Sequence, residues 1–464
     1  MAPPPRRRKS QNEVERACER IVSTSPLDYR KATRRILQEA LAAVDPYRAV
    51  LKHLEFDGEV ISIGSNVFRA KDFDRLSILG AGKAGFAMAR ACEEVLGDAL
   101  SEGFIIVKEG HGGKLDKFEV FEGSHPLPSE KNYRGCKSLL ERANAAGERD
   151  LVILLISGGG SALLPAPVEG VSLEDKLRTT KMLLECGATI GETNCIRKHL
   201  SQIKGGGLAR ALAPARIAAL VLSDVIGDRL DTIASGPITA DSSSFEDSWQ
   251  IIRGYGLLDQ LPPSVIEHIG LGREGKRRET LKEGDPIFEK VAPPVIVGNN
   301  SMALEAARKK AEEEGFEVLH LSSTLEGESR ELAKFFCALA RERFEKSRKQ
   351  PLLLLGGGET TVNVRGTGLG GRNQEFALAC VRELSKLEGA FAIGFATDGT
   401  DGPCDAAGAH ADWESMERAS KAGLDPALYL ENNDAYHFFE ALGDLIKTGP
   451  TGSNVCDIYA LGLL

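Results

Sequence analysis

The sequence predicts an α/β protein of two lobes, each a mainly parallel sheet flanked by helices. Short apolar runs typical of buried strands alternate with segments of helical periodicity, which indicates successive βαβ units. Most of these apolar runs end in glycine-rich turns, the places where open α/β sheets bind ligands. At 464 residues the chain exceeds the size at which a single hydrophobic core stops growing, so two domains are expected.

Composition and charge limit the classes of partner. The hydrophobic fraction of 42% and the charged fraction of 27% are those of a soluble globular protein, and no apolar run reaches the roughly 18 residues of a membrane span. The formal net charge of −9 disfavours nucleic acid. We therefore expect small-molecule substrates, no nucleic acid and no membrane, and a monomer or homodimer.

The cysteines, histidines and N-terminus bear on location and metals. Nine dispersed cysteines without a CxxC pair indicate reduced thiols in an intracellular compartment. The eight histidines have no zinc-type spacing. The start, MAPPPRRRKSQ, is basic but lacks the apolar segment of a secretory signal. These features favour the cytoplasm and leave a mitochondrial location open.

In chain order, we expect a flexible tail (1–25) and then an N-terminal α/β domain (26–245). Its helical periodicity lies in residues 29–44, 86–96, 133–146 and 173–186, after an earlier helical pattern in the tail at 12–22. Its strand patterns lie at 59–63, 67–70, 76–79, 104–107, 118–121, 151–156 and 217–222.

The C-terminal lobe is expected over residues 246–464. The crossover between domains is placed in 241–294, which has helix and loop patterns but no strong strand. Strands are expected at 294–297, 316–321, from 352, at 391–396 and at 457–461, with helices at 302–314, 328–346 and from Arg372.

Three glycine-rich loops follow predicted strands. Residues 80–85 fit GxGxxG, a pattern shared by anion sites, nicotinamide-dinucleotide sites and simple packing turns; Lys83 inside the loop and the absence of a clean ribose-binding acid favour an anion site. Ser157, Gly158, Gly159, Gly160 and Ser161 follow the strand at 151–156, and Gly357 and Gly358 follow the strand from 352. Such loops cradle phosphate with backbone N–H groups, although either could also be a packing turn.

Charged residues cluster at the same strand ends. Asp224 and Asp228 follow one strand, Asp398 and Asp401 another, and Glu359 a third. Each is an ordinary turn residue by itself, but together with phosphate-binding loops they indicate magnesium–nucleotide chemistry, because Mg²⁺ prefers one or two carboxylates plus substrate phosphates. A basic stretch holds Arg197, Lys198, His199 and Lys204, which could equally be a solvated helix face.

Ten ordered motifs carry a resemblance to a known family. They are GAGKA (80–84), SHPLP (124–128), ISGGGSALLPAP (156–167), RKHLSQIKGGGLA (197–209), LSDVIGD (222–228), IASGP (233–237), GGGETTV (356–362), GRNQEFAL (371–378), TDGTDGP (397–403) and TGPTGSNVCD (448–457). From about residue 30 to the C-terminus the chain resembles glycerate 2-kinases of the MOFRL type. It departs from them at Ser124, where glycine is common, and at Asn299, where a small residue is common.

The resemblance implies ATP-dependent phosphorylation of the 2-hydroxyl of D-glycerate with Mg²⁺. It also implies a Rossmann-like N-terminal lobe, a MOFRL region at about 351–458 and an active site in the cleft between the lobes. The family's important lysine falls on Lys83 and its important arginine on Arg372, and the strand-end residue Asp224 is expected to be catalytic with them. Substrate would be bound by Lys83, Ser124, His125, Lys198 and Arg372, nucleotide phosphates by Ser157–Ser161, Lys204, Gly357 and Gly358, and metal by Asp224, Asp228 and Glu359.

Two other functions remain open from the sequence. A nicotinamide-dependent hydroxypyruvate reductase is suggested by the GxGxxG loop at 80–85, although a His–acid proton relay is not evident. A sensor that binds a sugar acid or nucleotide without turnover is also possible. The presence of Lys83, Arg372 and the strand-end carboxylates counts against such a sensor.

Overall fold

The computed structural model describes residues 28–344 and 350–464, so the predicted tail, its helical pattern at 12–22 and the last residues of the predicted helix at 328–346 lie outside the described residues. In the described part of the chain, no helix combines the length and apolar character needed to cross a membrane.

The first lobe begins with two helices and a small antiparallel sheet: α1 (Tyr29–Ala43), α2 (Pro46–His53), β1 (Leu54–Phe56), β2 (Val60–Ile63) and β3 (Asn66–Arg69). The main sheet and its helices follow: β4 (Arg75–Ala81), α3 (Gly85–Leu96), β5 (Glu102–Lys108), β6 (Phe118–Gly123), α4 (Glu130–Asn144), β7 (Asp150–Ile156), α5 (Gly160–Leu163), α6 (Leu173–Glu185), α7 (Ile190–His199), α8 (Gly207–Leu212), β8 (Arg216–Leu222), α9 (Phe245–Gly254), α10 (Pro263–Arg273) and β9 (Val295–Gly298).

The second lobe contains the remaining elements: α11 (Asn300–Glu313), β10 (Glu317–His320), α12 (Ser329–Phe344), β11 (Leu352–Gly358), α13 (Arg372–Leu384), β12 (Ala390–Ala396), β13 (Gly408–Asp412), α14 (Ser415–Lys421), α15 (Pro426–Glu431), α16 (Ala435–Leu442), β14 (Leu445–Ile446) and β15 (Asp457–Leu463). Both lobes are therefore α/β, as predicted.

The main sheet of the first lobe has the strand order β6-β5-β4-β7-β8-β9, and every neighbouring pair is parallel. This is the order of a dinucleotide-type doubly wound sheet. The first three strands are added toward one edge of such a sheet, and the next three are added toward the other edge. The reversal lies here between β4 and β7. Loops leaving the carboxyl ends of these two strands open a crevice, and they are the loops that carry Lys83 and Ser157.

The second sheet corrects the predicted parallel arrangement. Its order is β10-β11-β15-β12-β13-β14, and only β10 and β11 are parallel neighbours. The C-terminal strand β15 lies between β11 and β12 and is antiparallel to both. The expectation of a mainly parallel sheet was wrong because a fully buried apolar strand has the same sequence pattern whichever way it runs.

The sheets also divide the chain later than the expected boundary at 245/246. The strand β9 pairs with β8, so the first sheet takes its last strand from the far side of the helical segment that contains α9 and α10. The chain passes to the second sheet only after Gly298. The predicted helix-and-loop character of 241–294 agrees with the structure, since this segment holds α9, α10 and a short turn of helix at Pro286–Lys290.

The two lobes are joined by α1 and α11, which pack against each other. Buried alanines of α11 and buried Ile36 of α1 belong to one hydrophobic cluster that reaches both sheets, from Ile153 on β7 to Ile458 on β15. Polar contacts reinforce the joint, because Arg30 on α1 binds Asp412 at 2.8 Å and Asp444 at 2.9 Å in the second lobe. The cleft between the lobes is therefore closed at its back by a shared core.

Replacement of Ile36 tests this joint. Ile36→Ala removes a side chain that is 3% exposed and should lower the free energy of unfolding by about 2–5 kcal/mol, because the surrounding helices cannot fully close the cavity. Urea denaturation measures the change. Leu428→Ala, at a position 64% exposed, is the control and should change stability little. Equal small effects at both positions would contradict the shared core.

Candidate active site

The loops that follow β4 and β7 interlock at the reversal point of the first sheet. The N–H of Lys83 donates to the Gly158 carbonyl at 2.8 Å, and the N–H of Ala84 donates to Ser157 Oγ at 3.1 Å. A Cβ on Gly82 would lie 2.0 Å from Ser157 Oγ, and Gly82 has φ of +146°. Only glycine fits this contact, which places the Lys83 side chain directly over the second loop.

The GxGxxG loop has no free amides for a cofactor pyrophosphate. The N–H groups of Gly82 and Gly85 donate to the Ile106 and Gly82 carbonyls, each at 3.1 Å, and those of Lys83 and Ala84 are used by the loop at 157–158. Dinucleotide folds bind pyrophosphate through the amides of this turn. The glycines at 80 and 82 therefore serve close packing, which removes the main support for a nicotinamide cofactor.

The loop after β7, in contrast, has free N–H groups. The N–H groups of Gly158, Gly159 and Ser161 donate to no acceptor among residues 28–344 and 350–464. Gly159 has φ of +84°, and a Cβ there would lie 3.0 Å from the His125 ring and 3.3 Å from the Lys83 side chain. Successive unpaired amides in such a turn form a concavity suited to phosphate oxygens. His125 and Lys83 border this concavity.

In the second lobe, Arg372 is fixed at the first turn of α13. Its Nε and Nη2 bind Asp457 at 2.5 and 3.3 Å, and its Nη1 binds Glu359 at 2.9 Å. Buried Asp401 accepts from the N–H of Asn373 at 3.0 Å and from that of Gln374 at 2.8 Å. Asp401 is thus the cap of α13, and it sets the direction in which Arg372 leaves the helix.

The two lobes meet over a cleft of about 750 Å³ that both Lys83 and Arg372 line. Lys83 Nζ lies 3.6 Å from Asp398 Oδ2 of the second lobe. Asn454 of the second lobe donates from Nδ2 to Oδ2 of Asp224 in the first lobe, at 3.3 Å. Charged side chains of both lobes and the Asn454 amide therefore converge on one space, and Lys83 connects it to the free amides of Gly158 and Gly159.

Burial is the largest cause of the pKa shifts of Asp224, Glu359 and His125. It raises the pKa of Asp224 to about 6, with Lys83 opposing the rise and Glu359 and Asp398 adding to it. Burial also raises the pKa of Glu359 despite the neighbouring Arg372. It lowers the pKa of His125 to about 4, and the positive charge of Lys83 adds to that effect. His125 is consequently neutral near pH 7, whereas Asp224 titrates close to neutrality.

Four other side chains that were predicted to bind substrate, nucleotide or metal are not among those that line the cleft. Ser124 Oγ shares a hydrogen bond of 3.0 Å with Ser129 Oγ at the start of α4. Lys198 Nζ is paired with buried Asp241 at 3.2 Å. Asp228 Oδ2 accepts from the Asn299 amide at 2.5 Å. Lys204 Nζ donates to the Ser161 carbonyl at 3.0 Å, from the side of the 157–161 loop that faces a second groove.

Much of the backbone of the two other glycine loops is bonded within the protein. Gly357 and Gly358 are buried residues of β11 paired with β15, and the Gly357 N–H donates to the Ser322 carbonyl at 2.8 Å. A Cβ on Gly357 would lie 2.2 Å from Asn300 Oδ1. The amides of residues 365–369 all donate to Asn432, Asn433 or Asp434. The N–H groups of Gly357 and of residues 365–369 are therefore not available to a phosphate.

The sequence arguments missed residues that the fold brings to the cleft. Asn454 and Asp457 stand in the motif TGPTGSNVCD, but nothing in their spacing assigns them a role. Within the described residues, no three His, Cys, Asp or Glu side chains are grouped closely enough to hold a metal ion by themselves. The predicted set Asp224, Asp228 and Glu359 is therefore not assembled as a ligand group.

Comparisons with known proteins agree with this two-lobed arrangement. The model of the domain of unknown function DUF4147 matches residues 32–270, and that of the MOFRL family matches 352–457. The glycerate 2-kinase of Pyrococcus horikoshii is 40% identical over 435 residues, covering 93% of this chain and 97% of that protein. The crystal structure of glycerate kinase from Thermotoga maritima aligns with a TM-score of 0.83 at 39% identity, covering 95% of this chain and all of that one (100%).

A further relative carries a different name. A protein of Agrobacterium vitis, named provisionally as a hydroxypyruvate reductase, is 39% identical over 437 residues, which cover 93% of this chain and 94% of that protein. The names of these relatives thus include both enzymes that the sequence suggested, the kinase and the reductase.

The cap of α13 can be tested by substitution. Asp401→Ala should lower the free energy of unfolding by about 2–4 kcal/mol, because it leaves buried donors of Asn373 and Gln374 unpaired. Thermal denaturation compares it with Asp425→Ala, an exposed cap of α15 that accepts from the Ala427 N–H at 2.9 Å and should cost about 1 kcal/mol. A smaller loss at Asp401 than at Asp425 would refute its role.

Proposed function

Because the chain belongs to the glycerate kinase family that combines a DUF4147 region with a MOFRL region, we infer that it is an ATP-dependent glycerate 2-kinase. It transfers the γ-phosphoryl group of ATP to the 2-hydroxyl of D-glycerate, which gives 2-phosphoglycerate and ADP. One observation carries the inference: a cation from each lobe, Lys83 and Arg372, lines the same cleft, and Lys83 borders the unpaired amides of Gly158 and Gly159.

The GxGxxG turn does not support the reductase alternative. Hydride transfer from a nicotinamide needs the cofactor pyrophosphate to be held at the GxGxxG turn. In this chain, every N–H from Gly82 to Gly85 already has an acceptor within the protein.

Lys83 and Arg372 are proposed to hold the glycerate carboxylate and the transferring phosphoryl group. A guanidinium has five N–H donors, and Asp457 and Glu359 occupy three of those of Arg372. The two remaining donors are available to substrate, while the occupied ones prevent the guanidinium from rotating. Phosphoryl transfer depends mainly on such positioning and charge neutralisation.

Asp224 is proposed to accept the substrate proton. As the 2-hydroxyl oxygen bonds to the γ-phosphorus and the bond to the ADP oxygen breaks, the hydroxyl proton passes to the Asp224 carboxylate. A carboxylate whose pKa burial raises to about 6 is mostly ionised at pH 7 and binds a proton more readily than an exposed aspartate. Asn454, which donates to Oδ2 at 3.3 Å, orients the group.

The charge balance of the cleft fits a requirement for Mg²⁺. Two cations, Lys83 and Arg372, line the cleft with a larger number of carboxylates: Glu359, Glu375, Asp398, Asp401 and Asp457. Asp224 lies beside it, bonded to the cleft residue Asn454. Two anionic substrates cannot enter such a site without additional positive charge. We propose that Glu359 and Asp398 hold Mg²⁺ together with phosphate oxygens, in keeping with its preference for few carboxylates. The metal would neutralise phosphate charge during transfer.

A coupled product assay tests the function. Purified protein, D-glycerate, ATP and Mg²⁺ are supplied with enolase but without phosphoglycerate mutase, because enolase accepts only the 2-phospho isomer. We expect phosphoenolpyruvate to form at once. Its appearance only after mutase is added would mean transfer to the 3-hydroxyl, and NADH oxidation with hydroxypyruvate in place of ADP formation would establish the reductase.

In the same assay, Lys83→Ala and Arg372→Ala should each lower kcat by at least about a hundredfold, since each removes a charge that only the transition state uses fully. Lys276→Ala, at an exposed lysine paired with Glu274, is the control and should retain full activity. Near-normal turnover in both site variants would refute the assignment.

The dependence of activity on pH tests Asp224. Its carboxylate must be ionised to accept a proton, so kcat/KM should fall as the pH drops through about 6, the pKa that burial produces. Asp224→Asn should abolish this limb of the profile and lower kcat. A wild-type profile that stays flat to pH 5 would exclude Asp224 as the acceptor.

A further inference from the structure

A cluster of buried cations lies on the opposite side of the 157–161 loop from Lys83. Lys176 and Lys204 are 4% and 1% exposed, and the guanidinium of Arg197 lies beside them. Lys176 Nζ donates to the Pro165 and Leu200 carbonyls, at 2.5 and 2.9 Å, and Arg197 Nη1 donates to Asn194 Oδ1 at 3.3 Å. Their protein partners are thus neutral oxygens.

No carboxylate lies within ion-pair distance of any of the three in the part of the chain that the structure describes. This is unusual, because buried charges in proteins are normally paired. Burial lowers the pKa of Lys176 to about 7, and the positive charge of Arg197 adds to the effect. Burial likewise lowers the pKa of Lys204. The cluster therefore lacks the negative charge that would stabilise it.

The same side chains form the floor of a groove of about 810 Å³ between the segment at 126–130 and α6. The walls are mainly apolar, and two of their leucines are strongly exposed, Leu127 at 75% and Leu184 at 60%. The groove also has acidic side chains, but Glu130, Glu174 and Glu185 are exposed at its rim and do not reach the cations of the floor.

The groove and the active-site cleft are connected by the loop at 157–161. Its Gly158–Gly159 part lies beside Asp224 and Lys83, whereas Ser161 lines the groove and accepts from Lys204. The free amides of Gly158, Gly159 and Ser161 belong to this loop. An elongated anion bound along the loop would have Lys204 near one end and Lys83 near the other.

We propose that this groove is the subsite for the nucleoside triphosphate, with the base between Leu127 and Leu184 and the phosphates over Arg197 and Lys204. The proposal rests on the kinase function inferred above. It places the nucleotide in the first lobe, and it leaves the cleft around Arg372 to the small acid. Apolar walls suit a planar base, and unpaired cations suit phosphate oxygens.

Isothermal titration tests the subsite with two substitutions at different ends of the groove. Arg197→Met should weaken binding of a non-hydrolysable ATP analogue and of tripolyphosphate by about tenfold or more, because both lose a charged partner. Leu184→Ser should weaken the ATP analogue severalfold and leave tripolyphosphate unchanged. D-glycerate should bind both variants as it binds the wild type, which also shows that they are folded.

Matched controls lie outside the groove. Arg210→Met alters another partly buried arginine, one that donates to the Glu279 carbonyl at 2.7 Å, and Leu428→Ser alters an exposed leucine of the second lobe. Both should bind every ligand normally.

The proposal is overturned if Arg197→Met and Leu184→Ser both bind the ATP analogue as tightly as the wild type does. The product assay separates this failure from failure of the kinase function. A wild-type enzyme that forms 2-phosphoglycerate while both variants bind nucleotide normally has its nucleotide elsewhere, whereas a wild type that forms no product refutes the kinase itself.

Discussion

The contact between the loops that follow β4 and β7 is the constraint on which the site depends. Gly82 leaves room for Ser157, whose hydroxyl accepts the N–H of Ala84, and the carbonyl of Gly158 accepts the N–H of Lys83. The first loop thereby uses up its own amides, and the second keeps those of Gly158 and Gly159 free. These two hydrogen bonds thus direct Lys83 and leave free amides beside it.

The second constraint is the shared core behind the cleft. Because α1 and α11 pack together and contribute to one hydrophobic cluster with both sheets, the lobes meet at a defined distance. The ion pair of Arg30 with Asp412 and Asp444 fixes α1 against the second lobe. Such a joint allows contacts as specific as that of Lys83 with Asp398 to form between residues more than three hundred positions apart in the chain.

Acidic and basic side chains lie on opposite sides of the 157–161 loop. Carboxylates outnumber cations in the cleft, where a divalent cation is proposed, whereas the cations on the other side of the 157–161 loop have no acidic partner among the described residues. Burying either set costs free energy that a bound ligand of opposite charge would recover. The ligands proposed for the two sides of the loop would supply the charge that each side lacks.

The sequence by itself determined the α/β class and, in the first lobe, the strands of the main sheet, their parallel direction and four of the helices, because these follow from local periodicity and from strand-then-glycine patterns. The helices α2, α7 and α8 and the order of the strands became known only from the structure. The sequence also gave Lys83, Arg372, Asp224 and the loop at 157–161 as site candidates, because they stand directly at strand or helix ends. Only the tertiary structure decided which glycine loops keep free amides and which are used for packing, since Gly357 is needed for Asn300 and Gly82 for Ser157. It likewise placed β15 between β11 and β12. The structure also separated three consecutive basic residues: Arg197 lines a groove, Lys198 pairs with Asp241, and His199 pairs with Glu279. Those outcomes depend on contacts between distant parts of the chain, which no local pattern contains.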